Sequence, residues 1–87
     1  MVYELHTKVA NFIDGSQRAQ DILNEAIGYQ KRANALVQTD YDTAVWFNGL
    51  YKDTAKRLYN LVRFTLGSED HATHLCVRWC LEDAMES

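Results

Sequence analysis

The chain contains no proline. Proline interrupts helices more strongly than any other residue, so nothing of that kind limits how far a helix can run. Cysteine is scarce: Cys76 and Cys80 are the only two in 87 residues. That is too few for a disulfide scaffold and suits reduced thiols in a cytoplasm. No apolar run approaches the roughly 20 residues needed to span a bilayer. The opening MVYELHTKVANF lacks the charged-then-apolar layout of a signal peptide. A cytoplasmic protein with no membrane partner is expected.

Positive charge is short as well, with 9 Lys and Arg against 12 Asp and Glu for a formal net charge of -3. Nothing global therefore draws the chain to nucleic acid, and any polyanion site has to be local. The glycines, at positions 15, 28, 49 and 67, are too scattered to cradle a phosphate. Neither Gly-x-Ser-x-Gly nor His-Glu-x-x-His occurs. A chain this short also spends most inward positions on its core and leaves little depth for a substrate pocket. No enzyme is expected, and no catalytic residue, cofactor or metal.

What is present is apolar. Hydrophobic residues are 47% and aromatics 11% of the chain, too much for disorder and generous for so small a monomer. A single domain over 1–87 is expected. Turn signals at Asp14–Ser16, Thr39–Asp42 and Gly67–Asp70 each offer a short side-chain oxygen to cap a helix. They divide the chain into helices at 2–13, 16–38, 42–66 and 69–85, an all-α bundle built on a long antiparallel hairpin of the second and third.

In the first segment Val2, Leu5, Val9 and Phe12 or Ile13 share one face. The second places Ala19, Ile22, Ala26, Tyr29, Ala33 and Leu36 in three-four alternation, and its alanines let a neighbouring helix approach closely. In the third, Ala44, Phe47, Tyr51, Ala55, Leu58 and Val62 form one face while Trp46, Leu50, Leu61 and Phe64 form another. At about 100° per residue the two cover about half the circumference. That surplus implies a partner or a second copy, most simply a twofold dimer, with Trp46, Leu50 and Tyr51 as the protein-binding anchors. The expected function is a small protein-binding regulator, adaptor or inhibitor. The alternative is capture of an anionic ligand, a nucleotide or nucleic-acid segment, by a stripe of Lys52, Lys56, Tyr59 and Arg63 on one edge of the same helix.

The segment HATHLCVRWCLEDAMES gathers His71, His74, Cys76 and Cys80. On an unbroken helix Cys80 lies about 40° from Cys76, whereas His71 and His74 fall about 140° to 160° away. One tetrahedral metal cannot draw on all four. A pair of thiolates shared across a dimer axis is the surviving metal option; a Cys76–Cys80 disulfide fits the required geometry poorly. The expectation is a packing helix with Cys76, Trp79, Cys80 and Ala84 inward, and His71, His74, Arg78 and Glu82 facing water or a partner. His6 is isolated in sequence and suggests nothing specific.

Overall fold

A computed structural model describes residues 2–85, with side chains from residue 4 onward; the side chain of Val2 lies outside the described residues. The described residues form four α-helices and a closing 3-10 turn: α1 (Val2–Gly15), α2 (Gln17–Leu36), α3 (Tyr41–Leu66), α4 (Glu69–Arg78) and η1 (Glu82–Met85). The all-α bundle on an α2–α3 hairpin is the architecture read from the sequence.

Each expected cap is in place. Ser16 alone separates α1 from α2, and its Oγ accepts from the Ala19 amide at 3.2 Å. At the same corner Gln20 Nε2 donates to the carbonyls of Ile13 at 3.0 Å and Asp14 at 2.9 Å, satisfying acceptors that the end of α1 leaves open. Asp40 Oδ1 accepts from the Thr43 amide at 3.3 Å and Oδ2 from the Thr43 hydroxyl at 2.6 Å. Both bonds favour the carboxylate and hold Asp40 below its usual pKa. Gly67, at φ 73°, closes α3 with its amide on the Arg63 carbonyl at 2.9 Å, a left-handed turn that glycine adopts without Cβ strain.

The core lies at one end of the hairpin. Val9 and Ile13 of α1, Ala19, Leu23 and Ala26 of α2, and Tyr51, Ala55, Leu58 and Val62 of α3 meet Ala72, Leu75 and Cys76 of α4. Leu81 and Ala84 close the cluster from the C-terminal turn. Beyond it Ala33 and Ala44 are still buried, but they lie outside that shared core. The outer part of the hairpin is thus two helices in alanine-mediated contact. The molecule is accordingly elongated, 42 × 24 × 18 Å.

The last helix departs from expectation. It ends at Arg78 rather than at residue 85, and Cys80 follows with φ 58°. Leu81 then donates its amide to the Cys76 carbonyl at 2.8 Å, the six-to-one bond of a Schellman stop. The reason is rotational. The buried face of α4 is His71, Ala72, Leu75 and Cys76, centred about 70° round from His71. A continued helix would carry Leu81 about 150° away from that face, into water. Stopping at Arg78 turns both Leu81 and Ala84 inward, to 0% exposure.

Three side chains of this segment lie elsewhere than expected. Cys80 is exposed and sits on the turn, so the thiols no longer share a helical face. His71, expected in water, is buried, with both ring nitrogens lacking a hydrogen-bond partner among the described residues. His74 is half-buried and His6 is its partner: His74 Nε2 lies 3.4 Å from His6 Nδ1, the rings edge-to-face at 5.5 Å.

Candidate functional site

The junction between the core and the outer hairpin is set by a polar network. Tyr51, 1% exposed, donates its hydroxyl to the Asp83 carboxylate and accepts from Gln30 Nε2 at 3.2 Å. Gln30 Nε2 also donates to the Cys80 carbonyl at 3.1 Å. One glutamine of α2 thereby ties the hairpin to the turn that ends α4. Burial first, and the Asp83 bond second, push the Tyr51 hydroxyl well above its ordinary pKa. Tyr51 was expected to reach a partner beside Trp46 and Leu50; its side chain belongs to the core instead, because its ring fills the inward stripe and its hydroxyl is used up internally.

Past this junction the hairpin exposes apolar side chains on two flanks. The first carries Trp46, 60% exposed, against Phe47 at 4.9 Å between ring centroids. Phe47 is in turn 6.3 Å from Tyr29, and the Arg32 guanidinium lies 5.7 Å from its centroid, within cation–π range. Leu50, half-buried, continues the flank one turn below Trp46. Tyr29 donates its hydroxyl to Glu25 at 3.1 Å, and that bond raises its pKa. Of the expected anchors, Trp46 and Leu50 therefore sit together at an aromatic surface.

The second flank lies about 140° round α3 from Trp46. It is a groove of about 190 Å³ between α2 and α3, lined by Ala33, Val37, Tyr41, Ala44, Val45 and Asn48 among others. Val37, Tyr41 and Val45 are 48%, 66% and 52% exposed. Composition alone did not single these out. The signal was present nonetheless: Tyr41, Val45 and Asn48 extend the line of Lys52, Lys56, Tyr59 and Arg63 backward at three- and four-residue steps.

That basic line is where the sequence placed it, with Lys56 and Arg63 exposed and Lys52 and Tyr59 half-buried. Its aromatic member is committed to an acid, since the Tyr59 hydroxyl donates to Glu69 at 3.2 Å. Glu69 and Arg63 also share the walls of an open hollow of about 470 Å³ with Phe64, Gly67 and Ser68. A carboxylate at this position weakens the field an anion would feel.

A second hollow, about 430 Å³, is walled by Tyr59, Thr73, Cys76, Val77, Glu82 and Met85. Its thiol is held protonated, because burial first and Glu82 second push Cys76 up to about 11, the opposite of what activates a nucleophile. Among the described residues no group of three or more His, Cys, Asp or Glu side chains could hold a metal, and no helix is long and apolar enough to cross a membrane. Compared with protein-family models, curated proteins and solved structures, the chain matches none.

Proposed function

We propose that this chain is a non-enzymatic, protein-binding regulator, an adaptor or an inhibitor, that acts in the cytoplasm as a homo-oligomer through the outer end of its α2–α3 hairpin. The observation that carries the reading is Trp46, largely in water on a part of the hairpin that the shared core does not back. Its neighbours strengthen it. Trp, Tyr and Arg are the residue types that dominate interface hot spots, and Trp46, Tyr29 and Arg32 gather around Phe47. The cytoplasmic part rests on two unpaired thiols.

The test is capture from the native host's extract, with identification of the retained protein and repetition with both components purified. The retained protein should bind the wild type and the Lys56→Ala, Arg63→Ala double variant alike, and lose at least tenfold in affinity with Trp46→Ala. Retention of nothing, or of a protein indifferent to Trp46, would overturn the reading, and binding that depends instead on Lys56 and Arg63 would favour the anionic-ligand alternative. In that case affinity would also fall steeply with salt.

A further inference from the structure

We propose that the groove on the second flank is occupied by a second copy of this chain, antiparallel to the first about a twofold axis level with residue 46. The inference rests on the self-association in the reading above and adds the face, the orientation and the register.

Charge favours this pairing. Every residue lining the groove is uncharged, in a molecule whose net charge is -3. Two like-charged copies approach most easily over a neutral strip. The charges above and below that strip are ordered. Asp40 and Asp42 lie at the start of α3, the neutral Tyr41, Val45 and Asn48 follow, and beyond them Lys52, Lys56, Arg57 and Arg63 outweigh the single acid Asp53. A parallel second copy would set acid on acid and base on base. An antiparallel copy sets the acidic end of each α3 beside the basic stretch of the other. At a rise of about 1.5 Å per residue, Asp40 and Lys52 stand at equal heights of about 9 Å either side of residue 46. A surface of this order is complementary to itself, which is what a closed twofold contact requires.

Shape and area agree with it. Val37 and Val45 flank the groove and Tyr41 projects from its rim. The exposed parts of these three side chains come to roughly 300 Å² per copy, against roughly 800 Å² per partner in a standard interface. With helix backbone and the flanking charges added, the contact falls in the transient size class, with dissociation in roughly the micromolar range. Val37, Tyr41 and Val45 each gain cover in such a pairing, and alanines at 33 and 44 let the helices pack closely.

Sedimentation equilibrium of the full chain, from about 1 to 500 µM, reads this directly. The average mass should climb from the monomer's 10.0 kDa toward twice that value. Val45→Lys, which places two like charges near the axis at an exposed position, should hold the chain monomeric with unchanged helical circular dichroism. Lys52→Asp should weaken association about tenfold; adding Asp42→Lys, which lies about 3 Å along the axis from the other copy's residue 52 and spares the Asp40 cap, should restore it. Trp46→Ala should leave association unchanged. A chain that stays at the monomer mass at the highest concentration overturns the inference. So does a dimer indifferent to Val45→Lys, a charge swap that fails to rescue, or a dimer broken by Trp46→Ala. Partner capture through Trp46 by a strictly monomeric chain would sink this inference and the self-association it rests on, and leave the partner-binding reading standing. A dimer that captures nothing would sink the partner-binding reading alone.

Discussion

Replacing Tyr51 by phenylalanine removes one hydroxyl from the junction and leaves the buried ring in place. The hydroxyl donates to a carboxylate and accepts from Gln30. A hydrogen bond to a charged group contributes about 1.5 to 3 kcal/mol net. Asp83 is exposed, so water replaces part of what it loses, and the low end applies. Gln30 keeps the Cys80 carbonyl at 3.1 Å, so its lost bond adds about 0.5 kcal/mol or less. Tyr51→Phe should therefore cost about 1.5 to 2 kcal/mol at pH 7, a fall in Tm of roughly 8 to 12 °C for a domain of this size.

The pH dependence gives a second, independent reading of the same group. Burial and Asp83 raise the Tyr51 pKa in the folded chain. A group whose folded pKa lies above its unfolded one, about 10 for tyrosine, contributes fully below the unfolded value and loses that contribution as pH climbs toward the folded one. The wild type should thus weaken above about pH 10. Cys76, raised to about 11, adds a decline from roughly pH 9 upward that both proteins share. Urea unfolding at pH 7 and at about pH 10.5 should show the stability gap between wild type and Tyr51→Phe narrowing at the higher pH. A variant as stable as the wild type at pH 7, or a gap that stays constant with pH, refutes the network as described.

Other outcomes follow from the C-terminal segment. His71→Leu should stabilise the fold by about 1 to 2 kcal/mol in urea unfolding, because it relieves two buried, unpartnered nitrogens at similar volume; a loss of stability would mean that the imidazole has a partner. Cys80→Gly should stabilise by about 0.5 kcal/mol, the left-handed strain relieved being partly offset by glycine's freer unfolded chain. Thiol titration of the native protein should find one fast group, Cys80, and a second, Cys76, only on unfolding. Two fast thiols would contradict the burial of Cys76.

The first three helices and the start of the fourth were legible because those boundaries are written locally. Ser16, Asp40, Ser68 and Gly67 mark ends through interactions spanning four residues or fewer, and no proline blurs the pattern. The rotation of α4 was not legible from its cysteines. Cysteine is a small hydrophobe that tolerates either side of a boundary, whereas Leu75 and Leu81 carry the larger transfer free energy. Orienting the segment on the two leucines shows that both cannot face one core on a continuous helix, so the chain has to break between them. His71 is drawn in because it adjoins Ala72 and shares the Leu75 face. The partnership of His6 and His74 spans 68 positions, and no local spacing announces it. Tyr51 belonged to the inward stripe of α3 from the start; only the companionship of Trp46 and Leu50 in sequence suggested an outward role.

On the proposed reading, the two flanks of the outer hairpin divide the work between them. Trp46 and Tyr41 are separated by about 140° round α3, so a second copy seated in the groove leaves the Trp46 surface open. A twofold pairing through Val45 would then present two Trp46 surfaces at once, one from each copy. If each engages its target weakly, a dimeric or repetitive target would be held far more tightly than either contact alone allows, by effective concentration rather than by new contacts. On that reading the same geometry would account for why so small a chain keeps an unbacked hairpin end at all. Extending the core to cover it would remove the surface on which both contacts depend, and leaving it bare in the monomer costs only the exposure of Val37, Tyr41, Val45 and Trp46.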